Sequence, residues 1–277
     1  MFRRLLPNSA LLAAVLALSA PVSAQDWPGL ELPSAQTSEE LASIALMGTV
    51  PIFWGEAGDM AAMLSGTARP HWARALLERD YSLSPLDYLS AEALAPYRLL
   101  MMAQPRGLSA EENVALDAWV RGGGRLLLFA DPWMTGESDY AIGDRRRPQD
   151  VAMLSPVLAH WGLMLHFDPD ADVGLELRDV AGQAIPVSAA GYFSLLDSPD
   201  AECALEAEGL LAKCRIGAGF AAIVADAAML DLDGPHPNAE NALDFMIREN
   251  LGTARETASE YRETDGIASE NGVLWIP

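Results

Sequence analysis

Two stretches decide the fold: Arg125-Leu-Leu-Leu-Phe-Ala-Asp-Pro132 and Phe220-Ala-Ala-Ile-Val-Ala-Asp226. Each is a short apolar run that follows glycines and ends in an aspartate. An apolar run of this length, flanked by helical patterns, predicts a strand buried on both faces of a mostly parallel sheet. Ligands of such sheets gather beyond the carboxyl ends of the strands, where Asp131 and Asp226 would lie. The two stretches therefore place a candidate site, although they do not name a reaction.

A strand and a capped helix precede the first of these stretches. Residues 99–104 form another apolar run that predicts a buried strand. Ser109, with Glu112 three residues later, has the pattern of a capping box at the start of a helix. The result is a βαβ unit. We predict an α/β fold with three layers, in which helices flank a mostly parallel sheet.

Weaker patterns predict the remaining elements. We expect a short helix that begins at Ser38 and covers residues 41–47, and a first strand over residues 50–54. Asp150 should cap a helix that runs through residue 161. Residues 163–216 alternate in polarity, which predicts an antiparallel β elaboration of the parallel core.

The first residues have the pattern of an export signal. Arg3 and Arg4 precede an apolar core, and residues 22–24 form a small-residue cleavage site. We therefore expect a periplasmic or secreted protein whose mature chain has no integral membrane span. The predicted organisation is a signal peptide (1–24), an N-terminal extension (25–47), one α/β domain (48–252, with the β-rich insertion 163–216) and a polar tail (253–277).

The net charge indicates which partners the protein can bind, and the cysteines indicate the compartment in which it works. The formal net charge of −21 predicts no nucleic-acid partner, because so acidic a surface repels phosphate backbones. Cys203 and Cys214 are the two cysteines of the chain, and they flank a hairpin-like stretch. Since an exported chain meets an oxidising compartment, we predict a structural disulfide between them.

The motifs around the first strands resemble a known family. Gln104-Pro-Arg-Gly-Leu-Ser-Ala-Glu-Glu-Asn113, followed by residues 116–132, is similar to the uncharacterised ABC-type transport system domain of gliding-motility auxiliary proteins and related envelope proteins. Residues 216–226 resemble the closing strand of the same family. The resemblance spans residues 48–252 and implies a class I glutamine amidotransferase-like fold. Active members use a cysteine and a histidine after two core strands. The corresponding regions here, 131–132 and 226–227, contain neither, so thiol catalysis is not expected.

The acidic strand ends allow two interpretations. Asp131 and Asp226, with Glu56 as a third oxygen donor, suit a divalent cation or sugar hydroxyls. Alternatively, the aspartates cap the turns that follow them by accepting backbone N–H bonds. Gln104, Trp133 and His236 complete the candidate ligand-binding set. No pair of histidines has the spacing of a zinc site, and we predict neither a metal centre nor a cofactor.

Aromatic residues suggest the kind of ligand. Trp54, Trp133, Tyr140 and Tyr192 could line a shallow groove for a carbohydrate or a peptide, although aromatic side chains also belong to cores. We expect an exported, non-catalytic binding or accessory protein of the cell envelope, with another envelope protein or ABC-type transporter components as partner. The alternative is a carboxylate- or metal-dependent hydrolase that acts at the Asp131 and Asp226 strand ends.

Overall fold

The structure is a computed structural model that describes residues 41–55, 70–136, 138, 140–141, 143–144, 147–198 and 200–252. The predicted signal peptide, most of the predicted extension, Glu56 and the predicted polar tail lie outside these ranges. None of the helices within the described ranges has both the length and the apolar composition that a membrane crossing requires.

Strands and helices alternate through the first half of the described chain. The strands are β1 (Ser43–Gly48), β2 (Ser82–Pro85), β3 (Leu99–Ala103), β4 (Arg125–Phe129), β5 (Leu163–His166), β6 (Leu175–Val180), β7 (Gln183–Ser188), β8 (Tyr192–Leu195), β9 (Glu202–Glu206), β10 (Leu211–Ile216) and β11 (Gly219–Val224). The α-helices are α1 (Trp72–Leu77), α2 (Ala91–Leu94), α3 (Ala110–Arg121), α4 (Ser155–His160) and α5 (Pro237–Leu251). Short 3-10 turns span Ala207–Gly209 and Ala228–Asp231.

The central sheet has seven strands in the order β2-β1-β3-β4-β11-β10-β9. The first five run parallel, and β10 and β9 extend the sheet antiparallel. β4 and β11 are direct neighbours, with Phe220 opposite Arg125 and Val224 opposite Phe129. The two stretches that define the fold in the sequence are therefore paired side by side, in parallel.

Helices cover both faces of this sheet. On one face α1 and α5 pack against side chains such as Leu127 and Phe129. On the other face α2, α3 and α4 pack against the alternate side chains, Leu126 and Leu128. The β6–β7 ribbon joins the first layer and the β5–β8 ribbon joins the second. This confirms the predicted three-layer α/β class with an antiparallel elaboration.

The predicted position of the first strand was wrong. Residues 43–48, most of which were expected to be helical, form β1, whereas residues 52–54 form a turn. β1 lies between β2 and β3, which pair with both of its edges, and its four central residues are buried, alternately in the two core layers. It ends at Gly48, where a side chain would collide with the carbonyl of Ala103.

The predicted cap of α4 was also wrong. The helix begins at Ser155, and Leu154 occupies the N-cap without a side-chain hydrogen bond. The carboxylate of Asp150 instead accepts hydrogen bonds from Arg147 at 3.1 and 3.2 Å. The Asp150 carboxylate is therefore bound by the Arg147 guanidinium and does not cap the helix.

The predicted disulfide is present. Cys203 on β9 lies directly opposite Cys214 on β10, and the bond joins them across the hairpin. Cys214 is fully buried against the α3 face of the sheet. The bond therefore fixes the antiparallel edge to the core.

Candidate functional site

Asp131 and Asp226 lie two residues beyond the ends of β4 and β11, at the same edge of the sheet. Their exposed fractions are 0% and 2%. One carboxylate oxygen of each residue caps its own turn. Asp131 accepts the N–H of Trp133 at 2.8 Å, and Asp226 accepts the N–H of Ala228 at 2.8 Å. These are the turn caps that the second interpretation of the sequence expected.

The remaining oxygen of each carboxylate reaches a different segment. Asp131 accepts the N–H of Ala227 at 3.2 Å, which links the end of β4 to the end of β11. Asp226 accepts the N–H of Ser188 at 3.0 Å, which links β11 to the end of β7. All four oxygens are thus engaged by main-chain donors, and the pair holds three segments together.

The same burial shifts both acids toward their neutral form. Desolvation raises the pKa of Asp131 to about 6, against the effect of its two main-chain hydrogen bonds. Desolvation, followed by the negative charge of Asp131, raises the pKa of Asp226 well above its usual value, and Glu176 adds to the effect. Two carboxyl groups this close and this buried are not both readily ionised.

Gln104 lies at the same edge but its side chain is fully used inside the protein. Its Nε2 donates to the carbonyls of Asp131 (3.0 Å) and Gln149 (2.8 Å), and its Oε1 accepts the N–H of Asp131 at 2.8 Å. The residue occupies the strand-to-helix turn after β3 with a φ of +46°, which is uncommon for a residue other than glycine. Buried and saturated, Gln104 positions the turn after β4 and offers no free group to a ligand.

Two other predicted site residues, Trp133 and His236, lie among the described residues. Trp133 is half-buried beside Phe167, with ring centroids 6.3 Å apart. His236 occupies the N-cap of α5 without making a side-chain cap bond. Glu56 lies outside the described residues. Among the described residues, no group of three or more His, Cys, Asp or Glu side chains could hold a metal ion.

An apolar groove of about 510 Å³ opens beside the end of β4. The turn after Asp131, the segment before α4, α4 itself and β5 form its walls. The large apolar side chains among its lining residues are Trp133, Val151, Leu158, Met164, Leu165 and Phe167. Among the described lining residues, the polar side-chain groups are the hydroxyl of Ser155 and the indole N–H of Trp133.

The groove leaves apolar surface in contact with solvent. Val151 and Phe167 are each 50% exposed and Met164 is 45% exposed. The groove adjoins the acids, because Ala152 donates its N–H to the carbonyl of Asp131 at 2.8 Å. Asp131 therefore holds two walls of the groove: its carboxylate accepts the N–H of Trp133 and its carbonyl accepts the N–H of Ala152. Exposed apolar residues that cluster in this way mark an interaction site more often than exposed apolar residues that are scattered singly.

Of the four predicted groove aromatics, only Trp133 is among these lining residues. Tyr140 is buried. Tyr192 stacks on His166 with centroids 4.9 Å apart, and Trp54 contacts Phe53. The aromatic residues singled out in the sequence thus identify one wall of the groove, at Trp133. The other walls are mostly aliphatic residues from separate segments, which carry no local signal.

Two further ionisable residues, His71 and Glu112, have clear structural roles. His71 accepts the N–H of Ala73 with Nδ1, so its Nε2 carries the proton and donates to the carbonyl of Leu230 at 2.7 Å. Burial lowers the pKa of His71, consistent with this neutral form. Glu112 is buried and accepts two hydrogen bonds from Arg106 at 2.8 and 2.9 Å.

Comparisons with known proteins assign no family to the chain. No family model matches the chain, and no curated protein matches it. Among solved structures it is similar to Gan42B, a GH42 β-galactosidase from G. stearothermophilus, at 15% identity and a TM-score of 0.43. The similarity covers 76% of this chain and 30% of that one, so the chain spans less than a third of the galactosidase.

Two further similarities are equally remote. An exo-β-1,4-mannosidase from Opitutaceae bacterium strain TAV5 has 12% identity and a TM-score of 0.42, over 80% of this chain and 35% of that one. A ThuA-like protein from Bacteroides uniformis has 11% identity and a TM-score of 0.39, over 82% of this chain and 98% of that one. Likeness at this level carries no argument about activity.

Proposed function

We propose that this protein is a non-catalytic binding or accessory protein of the cell envelope, and that it holds an apolar segment of a partner protein in the groove beside β4. The observation that carries the proposal is the groove itself. Its lining is apolar, yet Val151, Met164 and Phe167 remain about half exposed. Its volume lies within the range of roughly 300–1,000 Å³ that ligand sites occupy.

The chemistry of the lining favours a peptide segment over a carbohydrate. Sugar recognition needs several polar groups that converge on hydroxyls, and the described lining offers little beyond the hydroxyl of Ser155. Apolar side chains, by contrast, gain free energy in proportion to the apolar area that they lose to water. A partner segment with large aliphatic or aromatic side chains therefore fits the groove better than a glycan does.

The transport part of the proposal draws on the sequence motifs. The stretch from Gln104 to Asn113 resembles the ABC-type transport system domain of envelope proteins, and its residues form the turn into α3. The leader pattern and the disulfide are in keeping with an exported chain. We therefore propose a component of an ABC-type system as the partner.

One observation favours the alternative, a hydrolase that uses the aspartate pair. The raised pKa of Asp131, about 6, is a value that suits a general acid. Against it, both carboxyl groups are buried and all four oxygens accept main-chain N–H bonds. A catalytic role would require these bonds to break before a substrate could bind. For this reason binding is the better supported function.

Site-specific crosslinking tests the proposal. The photoreactive residue p-benzoylphenylalanine replaces Met164 at the groove in the full-length protein, expressed in its native host. The same residue replaces Val114, which is 70% exposed on α3, as the matched control. We expect a discrete protein adduct from position 164 and none from 114, and mass spectrometry of the adduct identifies the partner. Equal labelling at both positions, or no adduct from position 164, would contradict the proposal.

A further inference from the structure

Strand β6 is exposed on both of its faces. Residues 172–179 are all exposed, whereas the last four residues of the neighbouring strand β7 are buried. Leu175 and Leu177 share one face of β6 and are 49% and 53% exposed. Within the described part of the chain, β6 pairs with β7 alone. An exposed edge strand that carries apolar side chains is a template for pairing with another chain.

The free edge of β6 carries unused main-chain hydrogen-bonding groups. β6 and β7 are antiparallel, and Leu177 lies directly opposite Pro186. Opposite residues in such a ladder exchange either two main-chain hydrogen bonds or none, and the two kinds of pair alternate. Because proline has no N–H, Leu177 belongs to a pair that exchanges none, and its N–H and C=O point to the free edge. The alternation gives Leu175 and Asp179 the same orientation.

We propose that β6 pairs antiparallel with β6 of a second copy of this chain, with Leu177 opposite its own counterpart on the twofold axis. In this register Glu176 lies opposite Arg178 of the second copy, and the symmetry repeats the contact. Glu176 and Arg178 are each about half exposed and form an ion pair at 2.8 Å within one chain. Pairing would place opposite charges directly across the two strands, which stabilises an antiparallel ladder.

Charge also selects this register from its neighbours. A twofold axis at Glu176 would place that carboxylate opposite itself, and an axis at Arg178 would do the same for the guanidinium. Like charges directly opposite destabilise a ladder. With the axis at Leu177, the free main-chain groups of Leu175 meet those of Asp179 in the second copy. The Leu177 side chains meet each other on the face opposite to the charges, within diagonal reach of Leu175.

We expect this association to be weak and to depend on concentration. One strand of six residues from each copy buries less than the roughly 1,200 Å² of a stable interface. The formal net charge of −21 also opposes the approach of two copies. Salt at about 0.15 M screens this long-range repulsion beyond about 8 Å and leaves the direct contacts in place. A Kd on the order of 100 µM is consistent with an interface of this size.

Sedimentation equilibrium of the full-length protein, up to about 0.5 mM and in about 0.15 M salt, tests the inference. Arg178→Glu alone opposes two glutamates at both contacts, and Glu176→Arg alone opposes two arginines. Each variant should therefore dimerise at least about tenfold more weakly than the wild type. An equimolar mixture of the two restores opposite charges at both contacts and should recover the dimer. Glu92→Arg, at an exposed position of α2, is the matched control and should dimerise like the wild type.

Leu177→Pro tests the main-chain contacts separately. Its N–H is not used within the ribbon, so the single chain should fold with proline there, as other edge strands do. The added strand would lose a donor at the twofold axis, and the dimer should disappear while the melting temperature is retained.

Three results would overturn the inference: a wild type that stays monomeric at about 0.5 mM, a dimer that persists in Arg178→Glu and Glu176→Arg alone, or a mixture of these variants that does not recover it. The inference is independent of the proposed function, because α4 and β5, and not the β6–β7 ribbon, line the groove. The partner adduct at position 164 therefore stands or falls separately.

Discussion

The carboxylate of Asp131 accepts the amide hydrogen of Ala227 at 3.2 Å, so the end of β4 is fastened to the residue that follows Asp226 on β11. Asp226 in turn accepts the amide hydrogen of Ser188. The edge of the sheet where α/β proteins commonly bind ligands is therefore closed here by its own acids. The accessible surface lies beside this closed edge, in the groove that begins at Pro132.

Replacing Asp131 by asparagine should destabilise the protein in mild acid. At pH 4 the wild-type carboxyl group is largely neutral, since its pKa is about 6. The asparagine side chain has one acceptor oxygen for the amides of Trp133 and Ala227, and its NH₂ group faces the other donor. We expect the free energy of unfolding to fall by about 1–3 kcal/mol, measured by urea denaturation. Asp172→Asn, at an exposed position, is the control and should change little.

The stability of the wild type should also depend on pH through Asp131. The folded pKa of about 6 exceeds the usual value of 3.8, so the folded state binds more protons between these values. Stability is therefore highest at the acidic end of this window and decreases as pH rises through 6, by about 2 kcal/mol. The deficit of Asp131→Asn should shrink by that amount between pH 4 and pH 7. A deficit that stays constant across this range would show that Asp131 does not titrate there.

Glu112 should have the opposite pH dependence. Its hydrogen bond to Arg106, together with the amides of Ser109 and Leu89, lowers the pKa of Glu112 to about 2. Its contribution to stability is complete above its ordinary pKa of 4.5 and is lost as pH falls toward 2. Glu112→Gln should cost about 3 kcal/mol at pH 7, because it removes the buried carboxylate partner of the partly buried Arg106.

The control for Glu112 is Glu92→Gln, at an exposed position of α2. Its free energy of unfolding should match the wild type within about 0.5 kcal/mol. Equal losses of unfolding free energy in the two variants would mean that the ion pair of Glu112 with Arg106 does not stabilise the protein. A loss for Glu112→Gln that persists at pH 2 would show instead that packing, and not charge, is responsible.

Reduction of the disulfide should weaken the protein without unfolding it at room temperature. Cys203 and Cys214 close a short loop, and the loop-entropy estimate for such a loop is about 3 kcal/mol. We expect urea denaturation with and without reductant to differ by up to this amount. Cys203→Ser with Cys214→Ser should reproduce the reduced protein and should no longer respond to reductant. A reductant effect that survives in the double variant would point to another cause.

Strands β4 and β11 and the start of helix α3 could be predicted because their sequence signals are local. β4 and β11 are continuous apolar runs, and the capping box of α3 consists of two residues, Ser109 and Glu112. β1 was missed because Ala45, Leu46 and Met47 are good helix formers. Their burial between β2 and β3 decides the outcome, and a local pattern does not contain that contact.

The position of the candidate site could be predicted from the sequence, but the sequence left its chemistry open between a ligand site and turn caps. The sequence brought Asp131, Asp226 and Gln104 to one edge, and the structure places them there. Their polar atoms, however, are used by main-chain partners. The groove could not be predicted, because Val151 belongs to one segment and Met164 and Phe167 to another, and only the tertiary fold brings the two together. Exposed aliphatic residues carry no distinctive motif.

The central claim is that the groove binds a partner while the buried acids maintain the fold. It is tested most directly by the adduct yield from p-benzoylphenylalanine at position 164, compared between Phe167→Glu and Asp226→Asn at a temperature where both variants are folded. Phe167 lines the groove, whereas Asp226 bonds to Ser188 and Ala228 away from it. We expect Phe167→Glu to reduce the yield at least about tenfold and Asp226→Asn to retain it. An adduct that survives Phe167→Glu and disappears in Asp226→Asn would contradict the account.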